Sequence, residues 1–131
     1  MTSPLTGAGT RSPSPPRVLV VEDAELARTT LLAVLGRGRF EARATGSIAG
    51  AREQIDSWHP HCVLLDRRLP DGDGVEFARG LRAQPSGAAL GIVIMSGDLL
   101  PDDARDLADA VLLKPATAVA VLDAVAASLA R

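Results

Sequence analysis

Four apolar runs in this 131-residue chain each stop at a polar residue able to do chemistry. Residues 62–65 stop at Asp66, which is followed by two arginines, Leu69-Pro70 and two Asp-Gly steps. Residues 18–21 stop at the acidic pair Glu22-Asp23, residues 91–95 at Ser96, and residues 110–113 at Lys114. Lys114 is the single lysine of a chain whose every other basic residue is arginine, which invites a chemical reason for it. Three carboxylates brought together repel one another unless a cation joins them. With only oxygen ligands to offer, such a set selects a hard ion, and Mg²⁺ usually keeps several waters and takes few protein ligands. A lysine and a hydroxyl beside it suit a phosphoryl group, one by neutralising charge and the other by donating a hydrogen bond. An aspartate beside that metal can act as a nucleophile and become an aspartyl phosphate.

The elements that must bring these residues together follow from periodicity. Residues 17–22 read as a buried strand and residues 24–35 as a helix with Ala27, Leu31, Val34 and Leu35 on one face, closed by Gly-Arg-Gly at 36–38. Residues 40–45 alternate as a half-exposed edge strand does. The segment 47–58 carries Ile48, Ala51, Ile55 and Trp58 at helical spacing and ends at His59-Pro60. A third strand at 62–65 precedes a helix over 74–83 with Phe77, Ala78 and Leu81 inward. A fourth strand at 91–95 leads to a short helix over 102–108, and a fifth strand at 110–113 to a helix over 116–130 that buries Leu122, Val125, Ala126 and Leu129. Strict alternation of five strands and five helices implies an α/β fold: a doubly wound parallel sheet with helices on both faces. The half-polar second strand belongs at an edge, and the flavodoxin-like order 2-1-3-4-5 meets that requirement. Ligands of such sheets bind at the carboxyl ends of the strands, where Glu22, Asp23, Asp66, Ser96 and Lys114 all fall.

Length predicts one domain, over 17–131, behind a Pro/Ser-rich disordered tail at 1–16. Hydrophobic residues make up 47% and aromatics 2%, so the core must be aliphatic. A formal net charge of −2 gives no general attraction to nucleic acid or an anionic membrane. No run is long enough to span a bilayer, and the N-terminus lacks a signal peptide's apolar core. Cys62, the only cysteine, reads as a buried structural thiol consistent with a reducing, cytoplasmic setting. Asp71 and Asp73 read as shaping the loop after Pro70, and His59 and His61 as plain loop residues. The Asp-Gly-Asp-Gly stretch is no calcium loop, because Glu76 stands where that loop needs glycine. Gly-Arg-Gly follows a helix and so is no dinucleotide fingerprint.

Taken in order, "VLVVED", "VLLDRRLPDGDG", "IVIMSGD" and "VLLKP" resemble the receiver domain of two-component response regulators, the CheY-like family, over residues 17–130. The resemblance implies that a histidine kinase or phosphotransfer protein phosphorylates Asp66 in a Mg²⁺-dependent reaction. It also implies that Asp23, Asp66 and the backbone carbonyl of Arg68 ligate the ion, with Glu22 acting mainly through water. Ser96 would hydrogen-bond the phosphoryl oxygen, Lys114 would pair with it, and the Lys114-Pro115 bond would be cis. Output would pass to an unidentified protein partner, or along a phosphorelay, with no direct contact to nucleic acid or membrane. The leading reading is a stand-alone phosphoacceptor switch rather than an enzyme, with a fragment of a longer hybrid kinase as the open alternative; the resemblance implies self-phosphorylation from small phosphodonors and slow dephosphorylation.

This chain departs from the family pattern in three places. Val111 stands at the switch position that is usually aromatic; the fourth-helix region is short by about one turn; and Arg68 stands two places after the acceptor, where Asn or another polar residue is common. Two other functions compete. An aspartate-nucleophile phosphohydrolase of the haloacid dehalogenase type needs an acid where Arg68 stands. A pseudo-receiver that only binds proteins would not need the complete acidic and lysine set.

Overall fold

The computed structural model describes residues 14–130, so the tail expected over 1–16 lies outside the described residues except for its last three. The order is β1 (Arg17–Val21), α1 (Glu25–Arg37), β2 (Glu41–Thr45), α2 (Ile48–Trp58), β3 (Cys62–Asp66), a small pair β4 (Arg68–Leu69) and β5 (Gly72–Asp73), α3 (Gly74–Ala83), β6 (Gly91–Ser96), α4 (Ala104–Leu107), β7 (Ala110–Leu113) and α5 (Ala118–Leu129). The main sheet is parallel throughout and runs β2-β1-β3-β6-β7, which is 2-1-3-4-5 when its own strands are counted. The half-polar β2 is at the edge, as expected.

Alternation along the strands splits the interior into two aliphatic cores. Leu19, Val21, Val63, Leu65, Ile92 and Ile94 face Ala51 of α2 and Phe77, Ala78 and Leu81 of α3. Val18, Val20, Cys62, Leu64, Val93 and Met95 face Val34 and Leu35 of α1 and Val121, Ala124 and Val125 of α5. A strand buried on both faces has no polar face to show, so β1, β3 and β6 read as continuous apolar runs. Below the sheet, Arg82 of α3 donates to the carbonyls of Leu107, Gly87 and Leu90 and pairs with Asp109 at 3.0 Å, tying α3 to the entries of β6 and β7.

Several element limits differ from the sequence reading. α1 continues to Arg37 and is capped by Gly38, whose N–H reaches the Val34 carbonyl, so Gly36 lies inside the helix. α4 keeps only 104–107 of the expected 102–108, because no side chain caps its start. α5 begins at Ala118, two residues later than expected, where Thr117 accepts the N–H of Ala120. Its buried face is Val121, Ala124, Val125 and Ser128. Ala126 is exposed, while Leu122 and Leu129 are half-buried flanks. An almost wholly apolar helix gives periodicity no polar stripe to work from, so a neighbouring frame fits as well. His61 is more than loop filler: its Nδ1 accepts the N–H of Arg17 at 2.9 Å. His59 caps α2 in the left-handed region, with φ 55°.

Two glycines of α3 make opposite demands. A Cβ at Gly74 would collide with the carbonyl of Asp66, whereas Gly80 faces open space. Gly74→Ala is expected to cost about 1–3 kcal/mol by overpacking. Gly80→Ala is expected to add about 0.5–1 kcal/mol, because alanine is the better helix former. Urea unfolding of both variants checks the pair.

Candidate functional site

Parallel strands in register deliver their last residues to one edge. β3 pairs with β6 so that Asp66 stands opposite Met95, and β6 with β7 so that Ser96 stands opposite Leu113. The ladder then runs one step further: the N–H of Lys114 donates to the Ser96 carbonyl at 2.8 Å, and that of Glu22 to the Thr45 carbonyl at 3.0 Å. β3 and β6 each extend one residue past the expected run, so Asp66 and Ser96 are the terminal strand residues themselves. Glu22, Asp66 and Ser96 are the buried polar residues of this edge.

Glu22, Asp23 and Asp66 can each offer a carboxylate oxygen to a common point, the three oxygens lying within 4.8 Å of one another. Lys114 Nζ lies 3.0 Å from Glu22 Oε1 and 3.1 Å from Asp66 Oδ2. Partial burial works against the ammonium, but its hydrogen bonds to Glu22 and Asp66 outweigh this and hold its pKa above the ordinary lysine value. Three carboxylates facing one ammonium leave an uncompensated negative charge in an all-oxygen setting, which a hard divalent cation fits. The Ser96 hydroxyl accepts the N–H of Asp98 at 3.1 Å, which ties it to the loop leaving β6. The Lys114-Pro115 peptide is cis.

Arg68 sits on the rim. Its guanidinium turns to Asp98 at 2.7 Å, spanning the mouth from the loop after β3 to the loop after β6, and it holds the Asp98 carboxyl below the usual aspartate range. Both side chains are largely exposed, so the pair contributes little to stability. Asp73 caps α3 through the N–H of Val75 at 2.7 Å, a loop-shaping role of the kind expected. Asp71 reaches further than its own loop, accepting the N–H groups of Ile48 at 2.8 Å and Ala49 at 3.0 Å at the start of α2.

Sequence reasoning also missed Arg28. From α1 it donates to the carbonyls of Glu22 and Asp23 at 3.0 and 2.9 Å and holds the acidic turn from behind. Main-chain acceptors carry no residue signature, so nothing in the sequence pointed to it. Away from the edge, burial pushes the Cys62 thiol up to about 11, and the hydroxyl of Ser128 donates to its sulfur at 3.1 Å, as suits a structural thiol.

The chain resembles known proteins over this same architecture. A gliding motility regulatory protein of Myxococcus xanthus is 35% identical over 113 residues, which cover 81% of this chain and 14% of that protein. The chain thus spans a small part of that curated relative. The structure of a CheY-like response regulator receiver domain from Methylobacillus flagellatus superposes with a TM-score of 0.77 at 29% identity, covering 82% of this chain and 93% of that one. The receiver domain of a sensor histidine kinase from Pseudomonas aeruginosa, with a magnesium ion coordinated in its active-site cleft, shares the fold with a TM-score of 0.79 at 21% identity, covering 89% and 99%. Residues 18–126 match the family model described as the response regulator receiver domain. The sheet order, the acidic edge with its lysine, and that match agree: the chain belongs to the response regulator receiver family of two-component signalling.

Proposed function

We propose that this domain is a phosphoacceptor switch that takes a phosphoryl group on Asp66 from the phosphohistidine of a histidine kinase or phosphotransfer protein. The observation that carries the proposal is Lys114 Nζ placed between Glu22 and Asp66 inside a cluster of three carboxylates at the end of β3. Asp23, Asp66 and the Arg68 carbonyl would hold Mg²⁺, with Glu22 acting through water, and the bound ion would offset charge on the transferring phosphoryl oxygens. An Asp66 oxygen attacks phosphorus, the phosphorus–nitrogen bond of the donor breaks, and the electron pair leaves with the imidazole. Lys114 exchanges a carboxylate partner for a phosphoryl oxygen, and the Ser96 hydroxyl turns from the Asp98 N–H to donate to another. The phosphohydrolase alternative loses support at Arg68, whose cationic side chain stands where an acid is required and is already paired with Asp98.

Output passes by protein contact. Leu26, Leu99, Leu113 and Val119 are exposed apolar side chains offered to partners. Among the described residues no helix is long and apolar enough to cross a membrane. The cytoplasmic setting is part of the same proposal, because a kinase donor and Mg²⁺ are both met there.

Acetyl phosphate with Mg²⁺ is expected to place one phosphoryl group on the chain, read by intact-mass spectrometry. Asp66→Asn is expected to abolish it, because an amide is no nucleophile. Labelling of that variant, or labelling of the wild type without divalent metal, overturns the assignment.

A second expectation concerns how the signal leaves the site. Val111 is half-buried against the core that includes Ile94 and Ala104 and has no ring to swing, and α4 is a single turn. Phosphorylation is therefore expected to change hydrogen exchange mainly over residues 96–109. Ser96→Ala should blunt the change and Val111→Ala should leave it nearly intact. Lys114→Arg should still bind Mg²⁺ but give a weaker response, because a planar guanidinium does not enter a site shaped for an ammonium. A change centred on α1, or a normal response from Ser96→Ala, refutes this route.

A further inference from the structure

The hairpin β4–β5 has only two rungs, Arg68 opposite Asp73 and Leu69 opposite Gly72. A ladder that short does not hold its own shape. Its base is anchored by the Arg67 N–H to the Met95 carbonyl at 2.9 Å and the Gly74 N–H to the Arg67 carbonyl at 2.6 Å. Its tip is anchored elsewhere. The Asp71 carboxylate takes the first two amides of α2, one with each oxygen, and Gly72 packs so closely on Ile48 that a Cβ there would lie 2.7 Å from its Cδ1. The third free amide of that helix, on Gly50, is taken at 3.0 Å by Ser47, the local cap. α2 therefore has a cap of its own as well as a carboxylate from 22 to 23 residues away. The two backbone N–H groups hold the Asp71 carboxyl below the ordinary aspartate range, as expected for an anion at a helix N-terminus.

We propose that Asp71 is a positioning residue for the metal site: by fastening the hairpin tip to the N-terminus of α2, it fixes the segment that presents the Arg68 carbonyl. This deepens the function proposed above and rests on its metal-binding reading. Coupling of this kind is reciprocal, so an ion held at the acidic edge tightens the first turn of α2 through the same residue. The chain thereby links its acceptor loop to a helix that lends no side chain to the reaction.

The test is Mg²⁺ binding by isothermal titration calorimetry on the full chain. Asp71→Ala is expected to weaken Mg²⁺ about tenfold, the lower end of what outer supporting groups contribute to metal affinity. Asp71→Asn, which keeps one oxygen acceptor and so a folded loop, is expected to fall between that variant and wild type. Ser47→Ala removes the local cap of the same helix and is expected to leave the affinity unchanged, which separates positioning from simple fraying of α2. In the wild type, Mg²⁺ is expected to slow amide exchange at Ile48 and Ala49, and in Asp71→Ala it should not. Wild-type affinity in both Asp71 variants overturns the proposal, as does an equal loss in Ser47→Ala. Asp23→Asn distinguishes the two levels. If it weakens Mg²⁺ while the Asp71 variants do not, only the positioning role falls; if it too is without effect, the metal-binding reading falls with it.

Discussion

Three carboxylates within 4.8 Å of one another are the constraint from which the rest of this structure follows. Like charges at that spacing are costly where water is sparse, and Glu22 and Asp66 are both nearly buried. The fold meets the cost with fixed positive groups. Lys114 stands between two of the carboxylates, and Arg28 grips the carbonyls of Glu22 and Asp23 behind them. The cluster can persist because it sits on strand ends already determined by two aliphatic cores. Burial of the strands supplies the stability and the edge spends part of it on an arrangement that favours a cation.

The same constraint accounts for how the polar residues are distributed. Among the described residues, the interior of the sheet is aliphatic from Val18 to Val21, from Cys62 to Leu65 and from Ile92 to Met95, and the polar atoms begin at the next position in each case. That abrupt change made the fold and the site legible together. A continuous apolar run of strand length implies a strand covered on both faces, and the residue that ends it must lie at the sheet's carboxyl edge. Glu22, Asp23, Asp66, Ser96 and Lys114 could all be found this way, and the register of β1, β3, β6 and β7 brings them to one edge.

Features built on backbone acceptors, or on contacts between distant segments, left no such trace. Arg28 and Arg82 look in the sequence like ordinary surface charges, and Asp71 like a residue that shapes its own loop, yet each makes a bond to the main chain of another segment. The face of α5 was misread for a different reason. A run of alanine, valine and leucine fits more than one helical frame, and only the shape of the core beside Val121 and Val125 selects one. The short α4 was foreseen from the spacing between Ser96 and Lys114, but its limits were not, because its first turn lacks a capping side chain.

The scarcity of aromatic rings has a practical consequence. Trp58 is the chain's single indole and there is no tyrosine, so near-ultraviolet emission comes from one place. That place is the last turn of α2, where the guanidinium of Arg43 lies over the ring at 4.7 Å. The acidic edge holds no aromatic ring, and the indole lies instead beside the start of β1, where Arg17 donates to the Trp58 carbonyl. Fluorescence from this protein is therefore a gauge of how α2 seats against the β2 edge. A change in emission on loading the distant site would measure motion carried along the helix, not quenching by the ion.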